Sequence, residues 1–214
     1  MIVRADSLPV EGGQLCGLAW LDGLLWYSDA GLQAIVAVDP LTGARIARLP
    51  CPQLRGGLAA ADGGAQLIQI VGADRRLRVL DPYTGRQVAE YPNPRPGARL
   101  SGLHDTPGGT WMAFRSPSLL DLRRHADLDT ILSIAVSADP ADVTVAGGAL
   151  VVADQRAGCL SVLDPETGRV GTRLLVDGSP AALTWDGHRL WFCDAAGGRL
   201  CSVEVAPDDL GFPA

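Results

Sequence analysis

The sequence predicts an all-β chain, a five-bladed β-propeller of four-stranded antiparallel blades whose last blade is closed by the amino-terminal strand. Three observations predict it. The turn phrase DPxTG recurs at Asp39–Gly43, Asp81–Gly85 and Asp164–Gly168. A strand–turn–strand phrase precedes it in each unit, as in Gly17–Asp29 and again in Ala182–Asp194. Aligned on Leu18, Leu58, Leu103, Val143 and Leu183, the units repeat at spacings of 40, 45, 40 and 40 residues. A period near ~40 with several short strands per unit marks a propeller blade.

The elements follow in order. Ile2–Ser7 is a free strand ahead of the first unit. Unit one reads Gly17–Leu21, an Asp22-Gly23 hairpin turn, Leu24–Ser28, Ala34–Val38, DPLTG and Ala44–Leu49. Unit two keeps the frame with Leu58–Ala61, Gln66–Val71, Leu77–Leu80 and DPYTG. Unit three has strands near Leu103 and over Trp111–Phe114. Ser116–Thr130 then replaces the third strand and the DPxTG turn, and a Pro-rich join, Tyr91–Ser101, precedes the unit. Unit four reads Val143–Ala146, Ala149–Ala153, Cys159–Leu163 and DPETG. Unit five stops after Ala182–Trp185, Arg189–Cys193 and Leu200–Val205. Ile2–Ser7 supplies its missing fourth strand and removes an exposed edge. The tail APDDLGFPA reads as a surface segment.

DPxTG has a local cause. Asp accepts backbone N–H groups along the turn, Pro presets φ, and Gly takes the φ > 0 position. The aspartates ending the second strands (Asp29, Asp154, Asp194) read as turn caps by the same chemistry. Trp20 matches Trp185 and Trp26 matches Trp191, so the tryptophans fill one repeated slot between blades and belong to the core.

Five such units use up all 214 residues, which predicts one domain over 1–214 with blades starting near 17, 57, 102, 142 and 182. The net charge of -6 argues against nucleic acid and anionic membrane as partners. All 18 basic residues are arginine, so no lysine Schiff base or lysine general base operates here. The amino end lacks a basic stretch followed by an apolar one, which predicts a cytoplasmic chain. The five cysteines are odd in number and show no CxxC spacing, so a zinc knuckle is unsupported and reduced thiols are expected. Cys193 and Cys201 can face each other across one hairpin.

Leu183–Glu204 and Val143–Val170 resemble blades of the NHL/YVTN-type propeller superfamily, which includes virginiamycin B lyase-like and quinoprotein-like proteins. The likeness covers nearly the whole chain and implies the fold. The five-blade count is also similar to that of plant- and bacterial-type glutaminyl cyclases. That likeness implies a glutamate beside a blade-initial Gly-Leu and a tryptophan-rich pocket. Here Gln14-Leu15-Cys16 precedes Gly17-Leu18, with Glu11 further back.

Strand alternation then sorts the first strands. With Leu18 and its equivalents in the blade packing, the channel is lined by Gly17, Gly57, Gly102, Asp142 and Ala182, then by Ala19, Ala59, His104, Thr144 and Thr184. Asp142 and His104 break a run of small residues on adjacent blades. A carboxylate near an imidazole in a narrow channel suits a general base, and hydrogen bonding that only satisfies the interior suits it equally. The same-face loops add Glu11, Gln14, Cys16, Gln53, Arg55, Arg99, Ser101, Arg115 and Arg156. Arg115 falls where other blades place the turn aspartate, and Arg grips carboxylate or phosphate in bidentate fashion. No P-loop, GxGxxG, GxSxG or HExxH motif occurs. No cofactor is predicted. A divalent cation held by Asp142 with Glu11 or Asp139 is the one metal site the sequence offers.

Three functions follow as expectations. The first is a small polar or anionic ligand at the channel mouth, with lyase- or hydrolase-type chemistry open. The second is a non-enzymatic scaffold for a protein partner, built around the Pro-rich join. The third is a glutaminyl-cyclase-like acyl transferase.

Overall fold

A computed structural model describes residues 5–205 and Leu210. Blade 1 is β2 (Leu15–Leu21), β3 (Leu24–Asp29), β4 (Ala34–Val38) and β5 (Arg45–Pro50). Blade 2 is β6 (Leu54–Ala61), β7 (Gln66–Val71), β8 (Arg76–Leu80) and β9 (Gln87–Tyr91). Blade 3 is β10 (Arg99–Thr106), β11 (Gly109–Arg115), β12 (Leu119–Arg123) and β13 (Thr130–Ala135). Blade 4 is β14 (Pro140–Ala146), β15 (Ala149–Asp154), β16 (Cys159–Leu163) and β17 (Val170–Leu175). Blade 5 is β18 (Pro180–Trp185), β19 (Arg189–Asp194) and β20 (Arg199–Glu204), completed by β1 (Asp6–Pro9). Each inner strand packs on the next, from β2 through β6, β10 and β14 to β18 and back to β2, so the sheets form a ring.

The amino-terminal strand closes the ring, two to four residues later than expected. Asp6 pairs with Ser202 and Pro9 with Arg199. Ile2–Arg4 of the expected Ile2–Ser7 strand lie outside the described residues. This register seats Leu8 against the Gly43 turn of blade 1, which partly buries an apolar residue at the seam.

Outer strands are mostly exposed, whereas inner and middle strands are mostly buried. The core is five clusters, one between each pair of blades. Trp26 sits between blades 1 and 2 and Trp191 between blades 5 and 1, the repeated slot expected of them. All three DPxTG turns form as expected. In the first, Asp39 Oδ1 accepts Leu41 N and Thr42 N, and Gly43 stands at φ 73°.

Three expectations are corrected. Blade 3 keeps a regular third strand, and Ser116–Thr130 does not replace it. Arg124 N bonds Asp129 O and Leu128 N bonds Arg124 O, the same backbone turn as DPxTG, with Leu128 at φ 60° in the glycine position. The strand was hidden by Asp121, a buried charge paired with Arg95 and Arg123. The tail is not wholly at the surface, because Leu210 is buried in the cluster between blades 4 and 5 and contacts Gly147. Cys193 and Cys201 do not face each other. Cys201 pairs with Phe192, and the two thiols enter clusters on opposite faces of blade 5. All five cysteines are free thiols.

Candidate functional site

Around the axis the inner strands come very close. A Cβ on Gly57 would lie 2.7 Å from Gly102 Cα, and one on Gly102 would lie 2.0 Å from Asp142 Oδ1. Glycine at position 102 therefore makes room for the Asp142 carboxylate. Asp142 is fully buried and its oxygens are taken. Oδ1 accepts Leu103 N at 3.0 Å and Val143 N at 2.9 Å, and Oδ2 accepts Leu183 N at 3.0 Å. Burial pushes its pKa well up, against the pull of these three N–H donors.

His104 Nδ1 lies 3.1 Å from Thr144 Oγ1. The confined channel lowers its pKa to about 4, with Asp105 opposing weakly, so the ring is neutral near neutral pH. The expected Asp142–His104 general base is thus not assembled, since each group is engaged by a different partner. Ser101 is likewise structural, with its hydroxyl 3.0 Å from Ala113 O and 2.6 Å from Pro140 O and its single proton shared between these two carbonyls. These bonds stitch blade 3 to blade 4 and blade 4 to blade 5. Trp20 N to Thr184 Oγ1, at 3.1 Å, ties blade 1 to blade 5 in the same way.

Arg115 does not complete a triangle with them. Its Nε lies 2.9 Å from Asp139 Oδ1, though the N–H is not aimed along that line, and its Nη2 donates to Gln155 Oε1 at 3.1 Å. Blade 3 therefore inverts the usual pairing. In blades 1 and 5 the strand-end Asp29 and Asp194 accept N–H groups of the blade join, whereas here the arginine is on the strand and the acid is on the join.

What the structure does bring together is a set of guanidinium groups. Arg75, in the turn between β7 and β8, is half-buried beside the channel mouth, and its Nη1 donates to Arg55 O at 2.8 Å. Its pKa is lowered by burial first, then by the neighbouring charges of Arg99 and Arg55, with Arg115 adding a smaller effect. Arg75 and Arg99 both line a groove of about 740 Å³ between that turn and the Pro-rich join. Arg55 and Arg99 are exposed. Arg75 was not singled out from the sequence. The signal available was its place in a same-face loop beside Arg55, but its non-glycine φ of 58° was not legible.

The remaining expected site residues separate. Glu11 lies on the outer rim, paired with Arg45 at 2.8 Å, away from the mouth. Cys16 does border the mouth. Its thiol donates to Ser28 O at 3.7 Å, and burial together with Asp29 pushes its pKa up to about 12, so it is no thiolate. Gln53 accepts from Arg76 at 3.3 Å. The Gln14 backbone N–H donates to Asp29 at 3.1 Å. Arg156 is exposed on the blade 4 turn. The cation site expected from Asp142, Glu11 and Asp139 does not form, because the three carboxylates serve backbone amides, Arg45 and Arg115 respectively. Among the described residues no three His, Cys, Asp or Glu side chains converge as metal ligands.

Solved structures share the architecture. A glutaminyl cyclase from Myxococcus xanthus superposes with a TM-score of 0.75 at 13% identity, covering 96% of this chain and 99% of that one. The fold is shared. A PQQ-bound aldose sugar dehydrogenase from Streptomyces coelicolor gives 0.61 at 14% identity over 94% and 98% of the two chains. The virginiamycin B lyase from Staphylococcus aureus gives 0.55 at 16% identity over 94% and 71%. At such identities the likeness is one of architecture alone. No protein-family model matches the sequence, and no curated protein matches it. No helix among the described residues is long and apolar enough to cross a membrane.

Proposed function

We propose that this propeller, in a cytoplasmic setting, binds a small anionic ligand at the channel mouth. Arg75 and Arg99 grip the anion in their shared groove, and Arg55 and Arg115 add to the field. The observation that carries this reading is Arg75, a half-buried guanidinium whose main charged neighbours are other arginines. Like charges repel, and an anion with two or more oxygens removes that cost while accepting forked N–H bonds. The net charge of the whole chain is -6, so the arginine cluster is a local reversal of sign that draws anions to one face.

Binding is favoured over catalysis. His104 is neutral and held by Thr144, and Cys16 is a protonated thiol, so these groups do not supply a nucleophile with its base. The cyclase-like reading rests on fold likeness, and Glu11, its nearest carboxylate, pairs with Arg45 on the rim.

The test is calorimetric titration with inorganic phosphate and with malonate, against wild type and Arg75→Gln. We expect saturable binding that weakens about tenfold or more in the variant, the scale of one charged hydrogen-bond pair. Equal affinity in both proteins, or no heat with either anion, overturns the reading.

A further inference from the structure

A second groove, of about 670 Å³, opens between blades 2 and 3 on the face opposite the arginines. It lies among the turns that follow β6, β10 and β12. Its walls are apolar, with Ile68, Val79 and Val88 from blade 2 and Met112 and Leu128 from blade 3. Its polar end is Asp105, whose Oδ1 accepts Thr110 Oγ1 at 2.6 Å and faces His125 Nε2 at 2.9 Å. The Asp105 side chain is only 12% exposed, and Asp62 adds a second carboxylate at the lip. Among the described residues no arginine lines the groove.

The residues at this joint differ from those at the others. At three other joints the turn glycine of one blade packs on an apolar outer-strand residue of the blade before: Gly43 on Leu8, Gly85 on Leu49, Gly168 on Ile134. At the blade 2–3 joint the turn residue is Leu128, held at φ 60°, a costly conformation for a branched apolar side chain. The outer-strand residue is Tyr91, which pairs with Leu77 as Leu49 pairs with Ile35. Tyr91 is 48% exposed, whereas Leu49 is 7% and Ile134 is 5% exposed. Ala89 and Val88 line the space left between them, so apolar surface of the kind that Leu49 and Ile134 bury at their joints stands open here.

We propose that this groove binds an apolar organic cation, an ammonium or amidinium carried on an aliphatic or aromatic body. The body removes the open apolar wall from water. The charge meets Asp105 and Asp62, and a carboxylate mostly withdrawn from water interacts with a cation more strongly than an exposed one does. Tyr91 at the rim adds an aromatic ring to the apolar wall. An anion meets two carboxylates there and, among the described residues, no arginine. This site is independent of the anion site on the other face.

The test is two-dimensional amide NMR titration with naphthylmethylammonium, using naphthylmethanol and naphthoate as its neutral and anionic counterparts. We expect saturable shifts at Asp105, Thr106, Thr110 and Leu128, with both counterparts about tenfold weaker or worse. Asp105→Asn should weaken the ammonium to the same degree. Val88→Arg places a cation on an exposed wall without touching the Asp105 network, and should also weaken it, so the test stands even where Asp105→Asn fails to fold. Equal binding of naphthylmethanol, shifts centred elsewhere, no shifts with the ammonium, or unchanged affinity in Val88→Arg overturns the proposal.

Discussion

At the scale of single residues, the channel shows how position can be legible while role is not. Alternation along the first strands put His104 and Thr144 at one level of the channel, where they meet, and put Asp142 among the channel-lining positions, because side-chain period is a property of the strand. Their partners are backbone amides and a hydroxyl from neighbouring blades, which no pattern along one strand encodes. The tryptophans teach the same lesson. Trp191 Nε1 donates to Asp186 at 2.7 Å, whereas the equivalent Trp26 Nε1 has no partner among the described residues, because Asp22 turns instead to the Tyr83 hydroxyl at 2.6 Å. His104 carries a pH prediction. Its folded pKa, about 4, lies below the ordinary 6.5, so between those values the unfolded chain binds a proton that the folded chain refuses. Its contribution is complete above the upper value and is lost as pH falls toward the lower one. His104→Gln should therefore flatten the fall in stability across that window by roughly 1–3 kcal/mol relative to wild type. Urea unfolding of both proteins at about pH 7 and about pH 4.5 measures it. Parallel losses in the two proteins would contradict a buried neutral imidazole.

At the scale of elements, the regular blades were readable because each local signal agreed with the others. Turn chemistry, period and apolar runs all placed the same strands in blades 1, 2 and 4. Blade 3 misled for a physical reason. Its third strand carries Asp121 at full burial, and its turn uses Leu128 where the repeat uses glycine. The charge is tolerated because it is saturated. Arg95 reaches Asp121 from the Pro-rich join, Arg123 from the same strand, and Ser133 from the outer strand at 2.7 Å. Both guanidinium groups also lie against Phe114, at 5.7 and 5.9 Å from the ring centre. Removing one partner of such a network leaves buried charge behind. Asp121→Asn should cost about 3–5 kcal/mol, read as a lower urea midpoint at unchanged m-value. A loss near zero would mean that the arginines find water instead, and that the Pro-rich join is not anchored through Arg95.

At the scale of the molecule, two faces of opposite chemical character emerge from a chain whose composition announces only mild acidity. One face gathers arginines at the channel mouth, and the other opens an acidic, apolar groove between two blades. The channel mouth was legible as a candidate anion site through Arg55, Arg99 and Arg115, though not through Arg75, whereas the groove was not, because it is assembled from turns far apart in sequence. What the sequence did carry to this scale was closure, through the fourth strand missing from unit five. Asp142 adds a consequence of its own. An innermost strand has one edge without a partner strand, and its amides ordinarily trade their hydrogens with solvent through brief local openings. Leu103 N and Leu183 N are such amides, on blades that are not adjacent, and both end on one carboxylate. Freeing either one means prising blade 4 from its neighbours. In deuterium oxide, both should therefore exchange only by global unfolding, with matching rates that follow denaturant as the whole protein does. A ring usually imagined as five separable wedges would then keep time as one body, with a single side chain as its clasp.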